Sequence, residues 1–227
     1  MTGPTPGAAQ PAGCGATLRV DAQRNRELIL AAAREVFAER GLDASLNEVA
    51  RRAGVGVATL FRRFPTREEL IAATFADRMN DYATLIEAAQ ADPDPWHGFC
   101  DYVRAICAMQ AGDRGFTDVL TQSFPTAKAL EAQRDQTFHR FTELINRAKE
   151  AGALRADFVP EDLPMLLMAN AGVVAAAADA APQTSPRLVA YLLQAFDART
   201  NAPLPDPPTP RGMYRAFHRL QPAERNR

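Results

Sequence analysis

Nowhere in this chain do the roughly 18 uninterrupted apolar residues of a membrane-spanning helix occur. The nearest run, Met165 to Ala178, is alanine-rich and broken by Asn170 and Gly172, so a buried helix is expected there and no membrane partner. The N-terminus lacks a basic stretch leading into an apolar one, which argues against a secretion signal. Cysteine is scarce: Cys14, Cys100 and Cys107 are an odd number at unpatterned spacing, so no disulfide scaffold is expected and a reducing cytoplasm is the expected compartment. Cys100 and Cys107 would share a helix face, yet no C-x-x-C or H-x-x-x-H spacing accompanies them. The histidines, His97, His139 and His218, are scattered, so no metal site is expected. There is no nucleophile elbow, phosphate loop or dinucleotide fingerprint; Gly54-Val-Gly56 has neither a preceding strand nor a third glycine. Neither an enzyme nor a cofactor is expected. Charge of one sign is lacking too: the net charge of −1 excludes an extended basic coat.

What is present is helical period. With 227 residues, 47% of them hydrophobic, the chain can build one or two packed units. Residues 1–17 are Gly, Pro, Ala and Thr with few large apolar side chains and are expected to form a disordered tail. A proline cluster at 203–210 opens a C-terminal tail, 201–227, with a short helix near Met213 to Leu220. Between the tails almost nothing alternates with period two, so the fold class is all-α: a helix-turn-helix domain over 18–80 followed by a larger helical domain over 81–200. The first helix starts near Asp21, buries a stripe of Leu28, Ile29, Ala32, Val36 and Phe37, and ends at Gly41. Ser45-Leu-Asn-Glu48 reads as a capping box opening a second helix to about Ala53, and Val57 to Phe64 supplies a third. Thr66-Arg-Glu-Glu69, after Pro65, opens a long fourth helix to about Ala91. Further helices are expected at about 94–111, 115–123, 125–151, 160–181 and 185–199, with Pro and Gly at their boundaries.

Two helices joined by a tight glycine turn, the second short and flanked by arginine, form the layout of a DNA-reading helix-turn-helix. The charge distribution agrees. Residues 18–80 hold eleven arginines against nine acids, a net +2, so the remainder carries −3; within 49–67 five arginines meet no acid. Leu46, Val49, Ala50, Val55, Leu60 and Phe64 can form a small core that turns Val57, Ala58, Thr59, Phe61, Arg62 and Arg63 outward. Small residues at 57 and 58 permit close approach to a groove, Thr59 offers a hydroxyl and a methyl, and the arginines can fork onto phosphate or guanine. Ser45, Thr66 and Arg67 complete the candidate DNA-binding set, the first two by placing helix N-termini where a phosphate could sit.

ILAAAREVFAERG (29–41) and SLNEVARRAGVGVATLFRRFPTREEL (45–70) resemble the DNA-binding domain of the TetR/AcrR-type repressors nearly throughout. The match covers about 20–80. It departs at Phe61, where the family usually has Tyr, at Arg63, where His is common, and at Ala58 in place of Gly or Ser. The resemblance implies a homodimer on double-stranded, palindromic operator DNA, a tendency to repress, and release by a small, mostly apolar effector. It also implies a four-helix interface built from 160–181 and 185–199, for which Ala169, Gly172, Ala176, Leu188, Leu192 and Phe196 are the candidates. For the effector pocket the large apolar residues Trp96, Phe99, Cys100, Val103, Cys107, Phe116, Leu120, Phe138 and Phe141 are the candidates, with His97, His139 and Asn170 as polar fixtures. The same residues would serve equally as ordinary core. A ligand-independent DNA-binding protein with a purely structural C-terminal half is the alternative reading.

Overall fold

Helical period dominates the chain, and the computed structural model, which describes residues 14–177, 180–199 and 202–219, is correspondingly built of α-helices. Among the described residues the β geometry is an isolated antiparallel bridge between Leu154 and Asp197. Helix α1 (Cys14–Arg40) begins before the expected start at Asp21, so 14–17 of the expected disordered tail are helical, while 1–13 lie outside the described residues. Its buried stripe is Ile29, Ala32, Ala33, Val36 and Phe37; Leu28, expected within it, is 43% exposed because it falls on the adjoining face. Gly41 ends α1 at a φ of 77°, where a side chain would be strained. Then come α2 (Leu46–Arg52) and α3 (Val57–Arg63), both short and both packed back on α1 through Leu46, Val49, Ala50, Leu60 and Phe64.

The long fourth helix is in fact two. Thr66 caps α4 (Arg67–Thr74) by accepting from the Glu69 N–H at 3.1 Å, as its capping box predicts, but the helix stops at Phe75 and α5 (Ala76–Ala91) restarts in a new direction. The cause is aromatic burial. Phe75 is 2% exposed, stacked on Phe37 at 6.3 Å between centroids and tilted against Phe116 at 6.5 Å. Burying a phenylalanine is worth about 1.5–3 kcal/mol. That outweighs the roughly 0.5–1.5 kcal/mol of a net helical hydrogen bond lost at the bend.

Beyond it lie α6 (Pro95–Gly112), α7 (Arg114–Thr121), α8 (Lys128–Glu150), α9 (Asp162–Ala177) and α10 (Thr184–Phe196). Asp94 caps α6 and Asp113 caps α7 through their carboxylates. Helices α5, α6 and α8 pack together, and α9 and α10 close the other side of α6. The α5/α6 crossing is tight at Gly98, where a Cβ would stand 2.5 Å from the Ala89 carbonyl oxygen. A buried polar set ties the second layer: Ser185 donates to Asn170 Oδ1 at 2.8 Å, and Asn170 donates to Gln110 Oε1 at 2.9 Å and to the Cys107 carbonyl. After the proline cluster, α11 (Pro210–Arg219) takes the place of the helix expected near Met213; Leu220 lies outside the described residues.

Gly98→Ala should destabilise the protein by about 1–3 kcal/mol through overpacking against backbone. A urea midpoint equal to that of the parent would contradict this helix crossing.

Candidate nucleic-acid interface

The reading unit is built from local chemistry. Ala53 closes α2, Gly54 adopts a φ of 67° to turn the chain, and Val55 N–H returns to the Ala50 carbonyl at 3.0 Å. Gly56 caps α3, whose Leu60 is fully buried against α1 and α2. Phe64 is buried too, with the Arg26 guanidinium 5.6 Å above its ring. These anchors leave Val57, Ala58, Phe61, Arg62 and Arg63 exposed on the outer side of α3, with Thr59 half-buried beside them.

The five arginines of 49–67 separate by partner. Arg52 makes two parallel bonds to the Glu39 carboxylate, at 2.7 and 3.1 Å. Arg51 bonds Glu48 at 2.8 Å, and that contact holds the Glu48 carboxyl below the usual carboxylate range. Arg67 is half-buried, and its Nη1 donates to both the Leu42 and Ala44 carbonyls at 2.7 Å, fixing the turn before α2. Among the described residues Arg62 and Arg63 have no such partner. The first capping box is not reciprocal: Ser45 accepts from the Asn47 N–H at 3.3 Å, while Glu48, expected to reach back to Ser45, is drawn to Arg51, Arg40 and Arg52. Three guanidiniums outcompete one backbone N–H for that carboxylate.

Two contacts that join the reading unit to the rest were missed by sequence reasoning. Leu42 N–H donates to Asp118 on α7 at 3.1 Å, and Glu68 on α4 accepts from the Thr126 N–H and hydroxyl and from the Ala127 N–H. Their partners are far apart in the chain and no motif marks them. Beside this joint a cavity of about 840 Å³ opens between the end of α1, the α6–α7 corner and α9.

Comparison with known proteins now bears on the arrangement. Residues 29–74 match the family model described as bacterial regulatory proteins, tetR family, and residues 94–195 match that described as the transcriptional regulator SbtR-like C-terminal domain. The chain belongs to the TetR family. It is therefore a DNA-binding transcriptional regulator of the helix-turn-helix type. Among relatives, the HTH-type transcriptional repressor BepR of Brucella suis biovar 1 (strain 1330) is 26% identical over 167 residues, 68% of this chain and 80% of BepR. The TetR regulator SCO0520 from Streptomyces coelicolor is 30% identical, with 76% of this chain and 98% of that chain covered and a TM-score of 0.47. FadR from Bacillus subtilis, solved in complex with stearoyl-CoA, shares the fold at 15% identity, 74% and 96% coverage and a TM-score of 0.55. No helix among the described residues is long and apolar enough to cross a membrane.

In this TetR-family regulator the nine residues expected to line an effector pocket are mostly core. Phe99, Cys100, Val103, Cys107, Phe116, Leu120 and Phe141 are buried, Trp96 is half-buried and stacked on Phe99 at 5.6 Å, and Phe138 is 37% exposed. Phe99 also stacks on Phe141 and meets the edges of Phe158 and Phe196, so these rings fill their own space. None of the nine lines the cavity beside the joint. Burial pushes the Cys100 thiol up to about 11 and the Cys107 thiol up to about 12, which leaves both protonated at neutral pH and poor nucleophiles. Of the polar fixtures, Asn170 is wholly buried in the α6/α9/α10 network, and His139 is exposed and bonded to the Asp135 carbonyl. His97 is exposed and its pKa is raised by its hydrogen bond to Asp92 and by the charge of Asp101. The interface candidates divide: Ala169, Gly172 and Ala176 form an exposed stripe on α9, Leu188 and Leu192 are half-buried on α10, and Phe196 packs edge-on to Phe158 at 4.9 Å.

Arg67→Ala should cost about 1.5–3 kcal/mol, the usual range for hydrogen bonds from a charged donor. Chemical denaturation checks this; unaltered stability would mean that the clamp on the α1–α2 turn contributes nothing.

Proposed function

We propose that this protein is a cytoplasmic transcriptional repressor that binds a palindromic operator as a homodimer and is released by a small effector with a substantial apolar part. The observation that carries the reading is α3 itself. Leu60 fixes it from within, while Arg62 and Arg63, with no acid to neutralise them, stand beside the small residues Val57 and Ala58. That is the chemistry a major groove accepts: close backbone approach, then guanidiniums onto phosphate or guanine. Ser45, Thr59, Phe61 and Thr66 complete the proposed contact set. Arg67 is left out, since its guanidinium is committed to two carbonyls.

Repression as the sign of regulation is supported by the BepR relative, which is itself a repressor. Two-fold assembly is supported by the α9 face, where Met165 is 49% exposed in line with Ala169, Gly172 and Ala176, and by Tyr191 on α10 at 56%. A stripe of small residues edged by exposed large apolar ones suits close packing of helices from a second copy. One seven-residue reading helix reaches few base pairs; two-fold symmetry doubles them. An effector-controlled C-terminal half is supported by the fold, which in Bacillus subtilis FadR is complexed with stearoyl-CoA.

The test begins with genomic DNA fragments captured by the purified protein and sequenced to give the operator. On that operator Arg62→Ala and Arg63→Ala should each weaken binding and lower the slope of log K against log salt by about 1. Slopes equal to the parent's would remove these arginines from the phosphate backbone. Phe61→Tyr should tighten binding by about 0.5–1.5 kcal/mol if its ring edge meets a phosphate; no gain would place that ring away from the DNA.

A further inference from the structure

The cavity beside the joint is not absorbed by the fold or by the reading helix. Its walls come from both halves of the molecule: Arg40 and Asp43 from the end of α1 and the loop after it, Asp113 and Asp118 from α7 and its cap, and Ala171, Val174 and Ala175 from α9. At about 840 Å³ it lies within the range of small-molecule sites, on the order of 300–1,000 Å³. One wall is apolar and helical. The opposite wall is acidic, with three carboxylates against one guanidinium, and that guanidinium, on Arg40, is shared with Glu48 at 3.7 Å. Arg67 and Arg78 stand near Asp43 and Asp113, but Arg67 is held by carbonyls and Arg78 lies 4.0 Å from Asp113 and 3.7 Å from Asp81. Asp43 is exposed and makes no hydrogen bond among the described residues.

We infer that this cavity is an effector site for an amphiphilic organic cation, whose apolar body lies on α9 and whose charge faces Asp43, Asp113 and Asp118. The inference rests on the effector-released repressor reading and gives it a place and a ligand class. Its reach over DNA follows from position. The site is walled by the residues that join the reading unit to the C-terminal half, since Asp118 also accepts from Leu42 N–H and Gly41 ends α1. A ligand bound there favours one arrangement of α1 against α7 and α9, and whatever it gains from that arrangement the operator loses if it prefers the other. The site also reaches Gly172 on the exposed face proposed for the dimer, so ligand and assembly share a border.

Calorimetric titration of the full chain with two probes of one shape and opposite charge, tetraphenylphosphonium and tetraphenylborate, tests the site. The cation should bind at least about tenfold tighter than the anion, from the charge of the acidic wall alone. Asp43→Asn, at an exposed position, should shrink that ratio about threefold, and Ala171→Phe should abolish binding of both probes by filling the cavity. Light scattering on each variant reports whether assembly is intact. Equal binding of the two probes, tighter binding of the anion, or binding that survives Ala171→Phe would overturn the assignment. Operator titration with and without tetraphenylphosphonium is read separately. Cation binding lost in Ala171→Phe, together with an operator affinity that the cation does not alter, would uphold the site as a cation cavity and refute its role as an effector site.

Discussion

Three phenylalanine rings, Phe37, Phe75 and Phe116, meet where α1, the α4–α5 bend and α7 converge, and the rest of the molecule is arranged around that meeting. All three are buried, and Gly115 stands where a Cβ would come within 2.7 Å of the Phe75 ring and 3.3 Å of Phe37. Such a contact has no slack: close-packed rings transmit displacement instead of absorbing it. Because α2 and α3 hang on α1, their orientation is set by how α1 seats on α7, and α7 is seated in turn on α6 and α9. The hydrogen bonds from Leu42 to Asp118 and from the 126–127 turn to Glu68 pin the same junction at its edges. A DNA-reading helix and a distant helical half thus share one mechanical joint.

Around the joint, electrostatics assigns the arginines their tasks. A chain of net charge −1 gains a nucleic-acid surface by withholding partners from particular guanidiniums. Glu39 and Glu48 hold Arg52 and Arg51 against α1, backbone carbonyls hold Arg67, and the cations left over are the two on the outer end of α3. The paired arginines make the helix-turn-helix rigid; the unpaired ones make it attractive to phosphate. Shortening or moving α3 would spoil the second effect without touching the first.

How much of this was legible in the sequence depends on how local its cause is. Turn glycines, the Thr66 cap and the 3.6-residue period act over a few residues, so the all-α fold and the outward face of α3 follow from the chain directly. The break at Phe75 was not legible, because its cause is burial against rings at 37 and 116. Ser45 and Glu48 satisfy the pattern of a capping box, yet Glu48 is diverted by arginines whose approach depends on how α2 lies against α1. The effector site was the least legible part. A list of large apolar residues describes a packed aromatic core and a ligand pocket equally well, and here Phe99, Phe141 and Phe158 pack on one another. The cavity lies instead among small and acidic residues, Ala171, Ala175, Asp43 and Asp113, whose pattern in the chain signals only an exposed helix face.

The central claim is that α3 of each protomer enters a major groove, with two copies related by symmetry. Methylation interference on the captured operator tests it most directly, since methyl groups on guanine N7 lie in the major groove and those on adenine N3 in the minor groove. The account predicts two symmetry-related clusters of guanine interference, about one helical turn or a whole multiple of it apart. A single cluster, or interference confined to adenine, would contradict it.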